Sequence, residues 1–259
     1  MRVHAAAPIL SIAHTYPERR LRLQVYRILS WSGTPQGCEG QVVRWVPPVE
    51  LRTLAFPPAS QAIVHAACLP KVYAITPDPQ QPERIPDVLA ALERRLSSEG
   101  LGLLQIRAPS LTQAAFYEYA GAVLDLARRY GCATLLNAPQ AWFAEIAASH
   151  APQQLGWHLS EARLLALSER PACAGWLAAS VHNEAALQQA MRLPVDFVVI
   201  SPVRATPTHP EAQPIGFAGL RRLLAASSLP VFALGGLMPQ DVSLARAVGA
   251  QGIAGIRLG

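Results

Sequence analysis

From residue 70 onward the chain alternates short aliphatic runs with amphipathic helical stretches, and that alternation leaves few folds open to it. Strands are expected at 72–76, 103–107, 134–137, 156–159, 177–181, 197–201, 231–234 and 253–257, eight in all. Runs such as Phe197-Val-Val-Ile-Ser201 are apolar at consecutive positions, the pattern of a parallel strand covered on both faces. Helical periodicity fills the intervals at 85–98, 111–130, 184–191, 216–226 and 239–248, the last two ended by turn-favouring or glycine-bearing sequence. Eight such strands with intervening helices in the 190 residues from Pro70 to Gly259 predict an α/β fold, a (β/α)8 TIM-type barrel of small size. The chain stops at Gly259 without an eighth helix, so the barrel wall there is expected to be covered by the first 70 residues or by a partner, unless the chain was clipped.

Residues 1–69 read differently. Strand character at 7–13 and 21–29, a turn at 32–37 and renewed strand character at 42–46 imply a sheet with little helix, a partial α+β unit ahead of the barrel at 70–259.

In a barrel of this class ligands collect where strands end and loops begin, and phosphate is commonly held after the seventh and eighth strands. Ser180, His182, Ser201, Gly235 and Gly236 all fall at expected strand ends. Gly235 and Gly236, with Gly255, Ile256 and Arg257 from the last strand, form a candidate phosphate cradle, because a backbone N–H approaches an anion closely only where no side chain intervenes. Gln105 and Arg107 are two residues apart and so share one face of their strand. Outward they would meet the helices; inward they would reach a ligand together, and the cost of burying an arginine without an anion favours inward. Asn137 ends the third strand and can both donate and accept hydrogen bonds. His182 is either a ligand group or a capping or surface residue beside Asn183, and His158, inside the fourth strand, either joins the site or packs within the barrel.

Composition removes several function classes. Hydrophobic residues make up 51% of the chain, enough for a sizeable core. The net charge of +5 is carried almost wholly by scattered arginines in amphipathic segments, which suggests a solvated surface and no nucleic-acid polymer as partner. Lys71 is the only lysine and opens a strand instead of closing one, which argues against Schiff-base chemistry. Cys38, Cys68, Cys132 and Cys173 are far apart, with no spacing suited to zinc, so neither a metal nor another cofactor is expected and a reducing compartment fits. No apolar run reaches the ~20 residues of a membrane helix, and the start lacks a signal-type core, so the expected setting is the cytoplasm with no membrane partner.

Leu104-Gln-Ile-Arg107, Leu135-Leu-Asn137, Gly156-Trp-His-Leu159, Ala179-Ser-Val-His182, Ile200-Ser-Pro202 and Ala233-Leu-Gly-Gly236 resemble, in order, the strand motifs of the thiamine phosphate synthase and TenI superfamily. The resemblance covers about residues 71–259 and implies a small phosphorylated heterocycle as ligand. A synthase condenses a pyrimidine diphosphate with a thiazole phosphate, using a lysine two residues after the strand-two arginine and magnesium-binding aspartates after strands three and four. Those places here hold Pro109, Ala138 and the run Ser160-Glu-Ala-Arg163, which puts synthase activity in doubt. The TenI-like thiazole tautomerases place a catalytic histidine in a Ser-Val-His motif, matched by Ser180-Val-His182. Their reaction takes a proton from a ring carbon and returns it elsewhere, which an imidazole can do without metal. The resemblance therefore implies His182 as general acid/base, Gln105, Arg107 and Asn137 orienting the heterocycle or its carboxylate, with Ser180 and Ser201 beside it, and Gly235, Gly236, Gly255, Ile256 and Arg257 at the phosphate.

Leu23-Gln-Val-Tyr26, Trp31-Ser-Gly33, Cys38-Glu-Gly-Gln41, Trp45 and Phe56-Pro-Pro-Ala-Ser60 resemble the latter half of a MutT-type Nudix domain, the class that cleaves oxidised nucleoside triphosphates, over roughly residues 8–68. The Nudix box with its magnesium-binding glutamates would lie before Met1. Glu39 alone cannot hold the metals such cleavage needs, and Ser60 stands where a base-reading asparagine is expected. Three readings of function therefore stay open: a TenI-like barrel doing proton transfer in thiamine metabolism, a catalytically silent phosphate-binding or interaction module, and a fragment of a bifunctional protein with 8-oxo-dGTP hydrolase and thiamine phosphate synthase-like parts. Half a Nudix sheet would leave apolar surface exposed, so homo-oligomerisation is a further expectation.

Overall fold

The computed structural model describes residues 1–15, 20–57, 60–150, 155–206 and 211–257. Strands β1 (Arg2–Thr15) and β2 (Arg20–Ser32) pair antiparallel in a ribbon of their own. Eight further strands close into a parallel barrel: β3 (Val72–Ile75), β4 (Leu103–Ile106), β5 (Ala133–Leu136), β6 (Leu155–Leu159), β7 (Leu177–Val181), β8 (Phe197–Ile200), β9 (Val231–Leu234) and β10 (Gly252–Gly255). All eight expected barrel strands are present, and β10 closes the ring against β3 with Ile253 opposite Val72 and Gly255 opposite Ala74. The last strand ends earlier than expected, leaving Ile256 and Arg257 just beyond it.

Helices α3 (Ile85–Glu99), α4 (Gln113–Arg129), α5 (Gln140–Ser149), α6 (Glu161–Ala166), α7 (Glu184–Arg192), α8 (Gly216–Ala226) and α9 (Val242–Ala247) follow successive strands. The sequence pattern did not single out α5 and α6. Apolar residues such as Trp142, Phe143 and Ile146 are spread around α5 without a polar stripe, and α6 spans only 6 residues. The expected stretch at 239–248 resolves into a 3-10 turn at Pro239–Asp241 followed by the short α9.

Period-two alternation divides the core. Outward positions such as Leu104, Ile106, Leu136, Val198, Ile200 and Ile253 pack against the helices. Inward positions Tyr73, Leu103, Leu135, Ala178, Phe197, Val199, Phe232 and Ala254 fill the barrel. The ring of Tyr73 lies 5.3 Å from Phe197 and 5.7 Å from Phe232, and those two are 5.4 Å apart, in the edge-on and tilted arrangements aromatic quadrupoles favour. Trp176 continues the cluster below Phe197 at 6.2 Å.

The amino-terminal segment supplies the barrel's floor. After α1 (Pro48–Leu51), helix α2 (Gln61–Cys68) presents His65 edge-on to Trp176 at 5.4 Å, while the Arg52 guanidinium lies 4.2 Å over the same indole. Buried Asp196 ties the floor together, accepting from the Leu177 backbone N–H at 2.8 Å and from Arg170 at 3.0 Å, with His65 Nδ1 3.8 Å away. Gln251 Nε2 donates to the Leu69 carbonyl at 2.7 Å, joining the segment to the turn before β10. Residues 1–69 thus contain more helix than expected. The strand expected at 42–46 is absent, because residues 41–47 find no partner strand; Val42 and Val43 are exposed and Trp45 rests on Trp31 with ring centres 5.7 Å apart. On the far wall Ile253 is fully buried, with α9 touching both β10 and β1 and Arg95 of α3 donating to the Ile256 carbonyl at 3.0 Å.

Barrel closure is sterically tight at one glycine. A Cβ on Gly252 would stand 1.8 Å from the Lys71 carbonyl oxygen, inside the β10–β3 seam. Gly252→Ala is expected to cost about 3 kcal/mol or more of folding stability, at the upper end for single substitutions, read as a lower denaturation midpoint. A midpoint equal to the parent's would show that the seam is not as close as described.

Candidate functional site

The strand ends open into one cavity of about 810 Å3. Gln105, Arg107, Asn137, Ser180, His182, Ser201, Gly235 and Ile256, eight of the eleven residues singled out from the sequence, line it. Gly236, Gly255 and Arg257 do not. At Gly236 the space a side chain would need is taken by the Ala205 carbonyl oxygen, 2.4 Å from an added Cβ, so this glycine, at φ +61°, serves the packing of the loop after β8. Gly255 is buried within β10 and Arg257 is exposed beyond it. The glycine side of the cavity therefore consists of Gly235 and Ile256, with Ser201 and Thr206 beside them.

Gln105 and Arg107 both face inward, as the cost argument favoured. Thr76, only 1% exposed, holds the turn of chain at Arg107 by donating its hydroxyl to the Arg107 carbonyl at 3.1 Å and accepting the Arg107 backbone N–H at 3.0 Å. Phe116 and Trp142, ring centres 5.4 Å apart, add an aromatic wall that no sequence pattern announces.

His182 stands at the exposed rim with its ring against the loop after β8. Its Nδ1 lies 2.8 Å from the Ser201 carbonyl oxygen and 3.2 Å from the Ser201 hydroxyl. A carbonyl oxygen only accepts, so neutral His182 carries its proton on Nδ1 and keeps the Nε2 lone pair unprotonated. The backbone of His182 is fixed from the other side: its N–H donates to Glu161 Oε2 at 2.6 Å, and Asn183 Nδ2 donates to Glu161 Oε1 at 3.0 Å. Asn183 in turn caps α7, accepting the Ala186 N–H. Glu161, a cavity residue not foreseen from the sequence, therefore has both oxygens engaged in holding the start of α7.

His158 faces inward and is fully enclosed. Its Nδ1 is 3.2 Å from the Tyr73 hydroxyl and its Nε2 2.9 Å from Ser180 Oγ. Burial first, then the nearby Arg163 and Arg107 cations, push its pKa down to about 3, so it is neutral at physiological pH. Arg163, held in the first turn of α6 where Ser160 accepts its backbone N–H, is half-buried at the cavity wall and donates to Asn137 Oδ1 at 3.0 Å. Among the described residues no three His, Cys, Asp or Glu side chains converge in a group that could hold a metal ion, and no helix is long and apolar enough to cross a membrane.

A parallel eight-stranded barrel with a largely apolar cavity, set with a few polar groups, at the carboxyl ends of its strands is the architecture of a small-ligand-binding (β/α)8 protein. The sequence profile of the thiamine monophosphate synthase family matches residues 72–258, and the chain belongs to that family. It is similar to putative thiamine-phosphate synthase 2 of Aquifex aeolicus, at 30% identity over 191 residues covering 73% of this chain and 97% of that one. It is also similar to the thiamine-phosphate synthase of Herpetosiphon aurantiacus, at 31% over 164 residues, 63% of this chain and 77% of that one. Among solved structures, thiamine phosphate pyrophosphorylase from Pyrococcus furiosus shares the fold with a TM-score of 0.53 at 21% identity, over 71% of this chain and 84% of that chain.

Enclosure of a neutral imidazole makes stability depend on pH with a definite sign. The unfolded chain takes up the His158 proton near the ordinary value of 6.5 and the folded chain only near 3, so acid favours the unfolded state across that window. His158 is expected to contribute a loss of up to about 1.4 kcal/mol per pH unit below about 6.5. In His158→Gln, which cannot titrate, the fall in melting temperature between neutral and acid pH should be shallower; identical slopes would place His158 in contact with water.

Proposed function

We propose that the barrel binds a thiazole phosphate and catalyses proton transfer on its ring, a tautomerase-type reaction within thiamine metabolism. The observation that carries this reading is His182. Its Nδ1 faces the Ser201 carbonyl at 2.8 Å, which leaves Nε2 as the proton-accepting nitrogen of a residue lining the cavity. In this mechanism Nε2 takes a proton from the ring carbon, the resulting imidazolium is stabilised by the Ser201 carbonyl, and the proton is returned at a second position of the same ligand. Gln105, Arg107 and Asn137 orient the heterocycle, Ser180 and Ser201 lie beside it, and Gly235 and Ile256 receive the phosphate. Because one group gives and takes the same proton, no second catalytic residue and no metal-bound water are required.

Curated relatives carrying the name thiamine-phosphate synthase favour a second reading, condensation of a pyrimidine diphosphate with a thiazole phosphate. Against it stand Pro109, Ala138 and the run Ser160-Glu-Ala-Arg163, where the synthase pattern has its lysine and magnesium-binding aspartates. The amino-terminal ribbon and helices are read as the latter half of a Nudix-type domain, on the resemblance of their sequence motifs.

Exchange of a ring-carbon deuteron of thiazole phosphate into solvent measures the proposed chemistry directly. His182→Ala should slow exchange by about 10²–10⁴-fold, the usual worth of a general acid/base, while titration calorimetry still registers binding. Equal exchange in the two proteins would overturn the tautomerase reading, and magnesium-dependent release of diphosphate from the mixed substrates would replace it with the synthase one.

A further inference from the structure

Six side chains form one unbroken line of hydrogen bonds from the cavity wall through the barrel interior and back to the cavity. Arg163 donates to Asn137 Oδ1 at 3.0 Å, and Asn137 Nδ2 donates to Gln105 Oε1 at 3.1 Å. Gln105 Nε2 donates to the Tyr73 hydroxyl at 3.4 Å. That hydroxyl is 3.2 Å from His158 Nδ1, and His158 Nε2 is 2.9 Å from Ser180 Oγ. Each middle member can point either way: an amide can exchange its oxygen and nitrogen ends, a hydroxyl can rotate, and a neutral imidazole can carry its proton on either nitrogen. The first member cannot, because a guanidinium has five donors and no acceptor. If Asn137 turned its amide nitrogen to Arg163, two donors would face each other.

One fixed end therefore sets the direction of the whole line. Asn137 must present oxygen to Arg163 and nitrogen to Gln105, and Gln105 must present nitrogen to Tyr73. The Tyr73 oxygen accepts, so its hydrogen goes to His158 Nδ1. His158 then carries its own proton on Nε2 and gives that hydrogen bond to Ser180. Ser180 Oγ accepts, and its hydrogen is left for whatever occupies the cavity that Ser180 lines.

We propose that Arg163 is a positioning residue that acts through Asn137, Gln105, Tyr73 and His158 to hold the His158 proton on Nε2, which leaves the Ser180 hydrogen free for the cavity, so that the pocket favours ligands presenting a hydrogen-bond acceptor there. An unprotonated ring nitrogen or an anionic oxygen satisfies Ser180. An amino or protonated nitrogen at the same point meets only the remaining lone pair of Oγ and leaves the Ser180 hydrogen without a partner, and a site built this way disfavours such a ligand by the cost of that unpaired group. The choice of ligand rests on the function proposed above; the direction of the line does not.

The direction can be read in the free protein, without any ligand. Nitrogen-15 NMR of histidine-labelled protein, with His158→Gln used to assign the resonances, distinguishes the two neutral tautomers by which ring nitrogen has the proton-bearing shift. The wild type should show Nε2–H at His158. Arg163→Glu replaces a donor-only end by an acceptor-only one, which reverses every bond and should interchange the two ring-nitrogen shifts to the Nδ1–H form. Arg163→Lys, still donor-only, should keep the wild-type tautomer and so serves as the rescue. A wild-type Nδ1–H tautomer, or an Arg163→Glu spectrum equal to the parent's in a protein with unchanged melting temperature, would overturn the proposal. Should Arg163→Glu fail to fold, the wild-type tautomer and Arg163→Lys decide on their own. Failure of thiazole phosphate to bind would count against the proposed function and leave this measurement intact.

Discussion

A closed ring of eight parallel strands has an interior that only side chains can fill, and Tyr73 fills it in two ways at once. Its ring completes the aromatic packing with Phe197 and Phe232. Its hydroxyl is the first polar atom above that packing, meeting His158 and Gln105. The barrel thus changes from apolar to polar across one side chain. A phenol buried this deeply is held un-ionised well above its ordinary pKa, so it acts only as a neutral relay of hydrogen bonds. Gln105 is thereby held from beneath, whereas His182 is held by the loop after β8 and by Glu161.

Much of this was legible in the sequence, and the reason is geometric. Side chains two apart on a strand share a face, so Gln105 with Arg107 and Ser180 with His182 could be paired by counting, and both pairs line the cavity. Counting fails where a residue's role comes from across the barrel. Tyr73, His158 and Ser180 are brought together from β3, β6 and β7, and no local pattern announces that meeting. Glu161 and Arg163 were visible only as departures from a family pattern, because α6 is too short to carry a periodic signal. At Gly236 an added Cβ would meet the Ala205 carbonyl oxygen, a demand of the neighbouring loop that no local pattern announces.

Residues before the barrel were the least legible. Alternating apolar positions located the β1–β2 ribbon, yet the pattern carries no information about what a strand pairs with, and the stretch at 41–47 stays unpaired. Nothing in Gln61-Ala-Ile-Val-His65 marks it as a floor for the next domain. Its place follows from Trp176 and Asp196, more than a hundred residues later, which offer an indole face and a buried carboxylate to His65 and Arg52. The two parts of the chain therefore share one core boundary at Leu69.

Glu161 gives both of its oxygens to the start of α7. Among the described residues lining the cavity, the other formal charges are the guanidiniums of Arg107 and Arg163. With low-dielectric walls on either side, these concentrate a positive potential at the opening, which acts on ligands before any contact is made. Encounter with an anion would be accelerated by the excess of guanidinium charge and made sensitive to ionic strength, and the Glu161 carboxylate, which keeps its charge while steadying His182, lowers that excess.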